Sequence, residues 1–187
     1  MNNNSGIKEI RDIYDLIDDE LLNNYNRSLP FQDAIIDRWE RAKKLKFEDG
    51  SSIYNSAFVF GDVKVGAHTW IGPNVMLDGS SDALVIGQHC SISTGVQIYT
   101  HDTVLKSLSG GLLPAKHSAV QIGDCCYIGS SSIIAAGVSI GNQCVVAANS
   151  FVNKSVPNKW IVGGSPAKKI GTVKIINDEI YLDYEDR

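Results

Sequence analysis

The sequence predicts an all-β fold, a parallel β-helix built from hexapeptide repeats. Three observations carry that prediction. Branched aliphatic residues recur at every sixth position, a small or β-branched residue follows each of them by four, and glycine or another turn-forming residue directly follows many of them. A half-buried strand alternates with period two, and a helix places apolar residues at i, i+3, i+4 and i+7. Neither template accommodates a step of six. Short flat strands meeting at corners do, with three hexads closing a triangular coil and about five coils stacking to bury a shared interior.

The elements follow in chain order. Residues 1–50 form a helical segment. Ile7, Ile10, Tyr14, Ile17 and Leu21 lie at helical spacing over residues 7–25, and Phe31, Ile35, Trp39 and Ala42 repeat the pattern after Ser28-Leu29-Pro30. Two amphipathic helices result, and the expected role is to close the lower end of the solenoid, which otherwise exposes core and strand edges, with a separate binding module as the alternative. The β-helix spans residues 51–171. Its aliphatic positions are Ile53, Val59, Val65, Ile71 and Leu77, then Ile86, Ile92 and Ile98, then Ile122, Ile128, Ile134, Ile140, Val146 and Val152. Two interruptions, at 78–84 and 104–119, read as loops.

The second inward position of each hexad is filled by small or β-branched residues such as Ala57, Val75, Val96, Ser132 and Ser150, with Asp102 as the exception. Cys90, Cys126 and Cys144 occupy this slot, which fits core packing by a small hydrophobe. Gly66, Gly72, Gly87, Gly123, Gly129 and Gly141 directly follow aliphatics and read as tight or positive-φ turn positions. Residues 172–187 form a C-terminal extension. Residues 172–176 and 179–182 flank Asn177-Asp178 as a short hairpin, followed by the acidic end Asp183-Tyr184-Glu185-Asp186.

Charge and cysteine content narrow the function classes. With 17 Lys+Arg against 21 Asp+Glu, the 187-residue chain carries a formal net charge of −4 and lacks the basic stripe that non-specific nucleic-acid affinity needs. The N-terminal stretch from Met1 to Lys8 has no apolar signal region, and no run of about 18 apolar residues occurs; a cytoplasmic location is expected. Four cysteines with one adjacent pair and no C-x-x-C fit neither a secreted disulfide frame nor a zinc knuckle. No Rossmann fingerprint or P-loop is present. His68, His89, His101 and His117 are separated by 21, 12 and 16 residues, and no metal site is expected from that spacing.

His101 is the outstanding candidate for chemistry. It sits in Ile98-Tyr99-Thr100-His101-Asp102-Thr103, where a carboxylate takes a slot that is otherwise small and inward, just before the 104–119 excursion. A buried carboxylate needs partners, and long excursions in compact domains tend to be functional.

Three blocks carry a resemblance to a known family: the hexads with Ile98-Tyr99-Thr100-His101-Asp102, then Cys126-Tyr127-Ile128-Gly129-Ser130, then Gly163-Gly164-Ser165-Pro166-Ala167-Lys168-Lys169-Ile170. Over residues 53–171 the chain resembles the hexapeptide-repeat acyltransferases, whose β-helix is left-handed. The resemblance supplies the handedness, since the general rule for parallel crossovers favours the opposite hand.

Carried over residue by residue, the resemblance makes His101 the general base. Asp102, or a main-chain carbonyl, orients its ring. Tyr127 walls the acetyl and acceptor pocket, where many relatives have Trp, or is simply an outward aromatic of the solenoid. Ser130 lies along the pantetheine arm, Ala148 offers main-chain contacts, and Lys154 and Lys168 face the phosphates of coenzyme A as point charges. Asp78 is an acceptor contact or a turn aspartate. The donor implied is acetyl-CoA, and the assembly implied is a homotrimer with the cleft between neighbours.

The resemblance is strongest to O-acetyltransferases of sugars in surface-polysaccharide (lipopolysaccharide) assembly, through Trp70-Ile71-Gly72-Pro73-Asn74 together with the His101 block. It implies direct transfer, with His101 taking a proton from the acceptor hydroxyl and returning it to the leaving thiolate, and a main-chain N–H stabilising the oxyanion. N-acetylation of a nucleotide-linked amino sugar is the enzymatic alternative. A non-catalytic trimeric scaffold is the alternative of another class.

Overall fold

The computed structural model describes residues 4–185. Met1 to Asn3 of the N-terminal stretch and Asp186 of the acidic end lie outside them.

The hexads fold into three columns of parallel strands that wind around one core. On the first face, Ile53, Ile71, Ile92, Ile128, Val146 and Val162 stack in register. On the second, Val59, Leu77, Ile98, Ile134 and Val152 do so. On the third, Val65, Ile86, Ile122 and Ile140 stack, and a single bridge adds Val156. Partners lie 18 residues apart in regular coils, as Ile53 with Ile71 and Ile128 with Val146, and 16 apart in the last coil, as Val146 with Val162 and Ile140 with Val156. The stacked aliphatics are almost all buried, and only Val59, at the lower end, is partly open.

The smaller inward residues satisfy their polar atoms within the wall. Thr69 Oγ1 donates to Gly87 O at 2.8 Å and Ser132 Oγ to Ala147 O at 2.9 Å. The thiols of Cys90, Cys126 and Cys144 face Gly123 O, Gly141 O and Pro157 O at 3.1, 3.0 and 3.1 Å. A buried donor that finds a carbonyl avoids its desolvation penalty. Serine, threonine and cysteine therefore share the slot with alanine and valine.

The corners distribute their strain differently from the sequence expectation. Positive φ falls three residues after the aliphatic, at His68, Asn74, His89, Gly95, Cys125, Ser131, Gln143 and Asn149. The glycines directly after the aliphatics have ordinary φ and serve close approach instead. A Cβ on Gly129 would lie 2.5 Å from Ala148 N, and one on Gly66 would lie 2.6 Å from Gln88 N. Those positions are tight, as expected, but not left-handed.

Both expected loops carry structure. Residues 78–84 belong to one long strand, Met76–Ile86, which turns the corner between second and third faces with a bulge opposite 61–63. The 104–119 excursion leaves on an antiparallel ribbon, His101–Asp102 against Lys116–His117, and includes a short helix, Val104–Leu108.

The N-terminal segment forms three helices, α1 (Asn4–Tyr25), α2 (Phe31–Ile35) and α3 (Arg38–Lys44). The second expected helix breaks at Ile36, and Asp37 restarts it by accepting from the N–H groups of Trp39 and Glu40 at 2.9 and 2.8 Å. Helix α3 meets the first coil. Ala42 joins the core, and the Arg41 guanidinium donates to Tyr54 O, which also accepts the Ala57 N–H, and to Ala57 O at the lower rim of the first coil. Helix α1 instead rests on α2 through Tyr14, which donates to Leu29 O at 2.7 Å and packs against Phe31, while Ile10, Ile13 and Leu16 stay exposed. At the other end the strand Trp160–Gly163 pairs antiparallel with Lys168–Ile176. That strand turns at Asn177-Asp178, both at positive φ, into Glu179–Tyr184.

Candidate functional site

His101 stands where the third coil breaks off into the ribbon, at the edge between second and third faces. Its side chain is 31% exposed, and Nδ1 lies 3.5 Å from Asp78 Oδ2. That nitrogen is buried and has no hydrogen-bond partner. A carboxylate can only accept, so the tautomer that suits this pair carries its proton on Nδ1 and its lone pair on Nε2. The separation is long for a hydrogen bond.

The register explains why Asp78 is there. It pairs with Tyr99 one coil up, two residues before His101. Its Oδ1 is held by the Ser80 N–H at 3.0 Å and the Ser80 hydroxyl at 2.6 Å, leaving Oδ2 to the imidazole. Tyr99 meets the imidazole edge-on at 6.2 Å.

Asp102 does not face the imidazole. The sequence frame puts it in an inward slot, but the chain has already left the coil, so the residue is exposed and Oδ1 accepts the Val104 N–H at 2.7 Å. Thr100 fills the interior instead, fully buried and donating to Asp78 O at 2.9 Å. The carboxylate that faces the imidazole is that of Asp78, not Asp102. Coil arithmetic applied to the strand below would have found it.

The remaining candidates fall into two groups. Tyr127 projects outward from the first face, 46% exposed, between Ser91 and Val145. Ser130 follows at the next corner and meets the coil above, where the Asn149 N–H donates to Ser130 O at 2.8 Å beside Ala148. Lys154 and Lys168 come together at the top, where they line a cavity of about 290 Å³ with Lys169 and Trp160. Lys169 is engaged with Glu185 and lies 5.4 Å over the Trp160 ring, so among the described residues Lys154 and Lys168 are the cations of this cavity outside any ion pair.

The second face separates these groups within one chain. Tyr127, Ser130 and Ala148 sit on one side of it, and His101, Asp78 and Lys154 on the other. Among the described residues no group of three or more His, Cys, Asp or Glu is placed to hold a metal ion, and no helix is long and apolar enough to cross a membrane. His68 and His89 stack at 4.9 Å on a different corner from His101. Hydrogen bonding with Cys144 and Cys90, and then burial, push the Cys126 thiol up, so it remains a neutral donor inside the wall.

Comparison with known proteins gives a consistent picture. Residues 119–154 match the family described as hexapeptide repeat of succinyl-transferase. The chain is 30% identical over 138 residues to carnitine operon protein CaiE of Escherichia coli, covering 69% of this chain and 67% of that protein. A hexapeptide-repeat acetyltransferase from Vibrio cholerae, solved with acetyl coenzyme A, superposes with a TM-score of 0.60 at 27% identity, covering 92% of this chain and 91% of that one. A mutant of AntD, an N-acyltransferase from Bacillus cereus solved with dTDP and coenzyme A, superposes with a TM-score of 0.62 at 26% identity, covering 67% and 72%.

Proposed function

The chain belongs to the hexapeptide-repeat acyltransferases, and we propose that it moves an acetyl group from acetyl-CoA directly to a hydroxyl of a sugar or surface polysaccharide. The likeness to these structures implies a left-handed coil. The observation that carries the reading is the outward imidazole of His101, backed at Nδ1 by the anchored carboxylate of Asp78.

In this reading His101 Nε2 takes the proton of the acceptor hydroxyl as its oxygen attacks the thioester carbonyl. Asp78 stabilises the resulting imidazolium, which then returns the proton to the departing thiolate. General-base assistance of this kind is worth about 10²–10⁴-fold. Lys154 and Lys168 bind phosphate groups of the donor, and the wall beside Ser130 and Ala148 receives the pantetheine arm. The second face keeps those two groups apart in one chain, so a closed homotrimer that sets one subunit's edge against its neighbour's completes the cleft. Free cysteines fit a reducing, cytoplasmic compartment.

A second reading, N-acylation of a nucleotide-linked amino sugar, is favoured by the likeness to AntD. Incubation with acetyl-CoA and a panel of free sugars, polysaccharides and nucleotide-linked amino sugars, read by mass spectrometry, separates ester from amide products. His101→Ala should lower turnover by at least about a hundredfold. Unchanged turnover overturns the base assignment, and no turnover of any acceptor by the wild type favours a scaffold.

A further inference from the structure

Beneath the first coil, α1, α2 and α3 enclose a hollow of about 400 Å³ that none of the acyl-transfer residues line. Two guanidiniums converge in it. Arg27 Nη2 donates to the Tyr54 hydroxyl at 2.6 Å, and Arg38 Nη1 donates to the same oxygen at 3.4 Å. The Arg38 guanidinium also lies 4.1 Å from the centre of the Trp39 ring and 5.6 Å from that of Tyr54. Both arginines are half-buried, and among the described residues neither has a carboxylate within 4.0 Å.

Each acid of the hollow has one oxygen held by main-chain N–H groups and keeps its negative charge. Asp33 Oδ1 accepts the Ser56 N–H at 2.8 Å, and Asp37 Oδ1 accepts those of Trp39 and Glu40. Arg41, just behind, is the guanidinium that closes the first coil. Arg27 and Arg38 are therefore not needed for that closure.

Two half-buried cations sharing one neutral phenol oxygen repel each other, and Asp33 and Asp37, although charged and lining the same hollow, make no ion pair with either, so both forks are open to an incoming anion. Guanidinium forks match phosphate oxygens in pairs. The Tyr54 hydroxyl accepts from both arginines, which leaves its own proton for a ligand oxygen. Trp39 and Tyr25 supply aromatic walls, and the volume lies within the usual range for small-ligand sites, about 300–1,000 Å³.

We propose that this hollow binds a phosphate monoester carried on a flat ring, of mononucleotide size, with Arg27, Arg38 and Tyr54 holding the phosphate and Trp39 and Tyr25 flanking the ring. It lies at the end of the solenoid opposite Lys154 and Lys168, and it does not depend on the acetyl-transfer reading.

The test titrates the full chain with uridine monophosphate, uridine and inorganic phosphate, by calorimetry and tryptophan fluorescence. Uridine monophosphate should bind at least about tenfold more tightly than either part alone, and Arg27→Gln and Arg38→Gln should each weaken it by about tenfold or more. Arg38→Lys, which keeps the charge and loses the fork, should fall between, and His101→Ala should leave binding unchanged. Absence of binding at about 10 mM, equal binding by the wild type and the arginine variants, or loss of binding in His101→Ala overturns the site. Equal affinity for inorganic phosphate and the nucleotide overturns the ring component.

Discussion

Replacing Asp78 by Asn tests the assignment of the carboxylate behind His101. The amide keeps the shape and one oxygen, so the Ser80 contacts at 3.0 and 2.6 Å can persist. What it loses is the charge opposite Nδ1 at 3.5 Å. A unit pair at that distance is worth about 5 kcal/mol at an effective dielectric of 20 and about 1 kcal/mol in bulk water. With the imidazole 31% exposed and the carboxylate 11% exposed, an intermediate value of about 3 kcal/mol applies, roughly a hundredfold in the rate of a step that forms imidazolium. The amide can also turn its N–H to the ring, which puts the proton on Nε2 and removes the base. The assay is thioester consumption followed by absorbance, with the melting temperature as a check on folding. Asp102→Asn should stay near wild type, because an amide oxygen still accepts the Val104 N–H. An Asp78→Asn enzyme that melts normally and turns over within about threefold of wild type refutes the reasoning, as does an Asp102→Asn enzyme that loses activity to the same degree.

Lys154→Ala and Lys168→Ala should each raise the KM for acetyl-CoA by about tenfold with kcat held, and the effect should shrink as salt is added; steady-state kinetics at two ionic strengths decide it. Gly129→Ala puts a Cβ 2.5 Å from Ala148 N, forcing two coils apart at a cost of about 1–3 kcal/mol. A fall of several degrees in melting temperature follows, whereas Gly6→Ala, with nothing within 4 Å, should not lower it. Of the four free thiols only Cys125 is exposed, so native alkylation should modify one cysteine per chain. Partial burial and the Asp124 carboxylate push that thiol above its usual 9.0, so less thiolate is present at neutral pH and alkylation should be slow there, accelerating as pH rises past 9.

The six-residue rhythm is legible because the same steric demand recurs at every rung, so Ile53, Ile71, Ile92 and Ile128 announce one another. The left-handed corner position is not. It is filled by His68, His89, Cys125 and Gln143 as well as by Asn and Gly, and only the last two advertise that conformation. The break at Ile36 was hidden because Phe31, Ile35, Trp39 and Ala42 keep helical spacing across it, and the signal for the restart was a single capping aspartate. Asp102 lies outside the inward slot because the chain has left the coil by that residue, a departure the hexad count does not register. Arg27, Arg38 and Tyr54 meet only through the packing of helices on the first coil, a convergence with no sequence period to reveal it.

The antiparallel hairpin that follows Trp160–Gly163 reverses the hydrogen-bonding direction at the upper rim. A second solenoid arriving head-to-tail would need parallel partners and finds none on that face, while Arg41 occupies carbonyls at the lower rim. With the ends capped in this way, direct continuation of the parallel coil from one chain into the next is opposed.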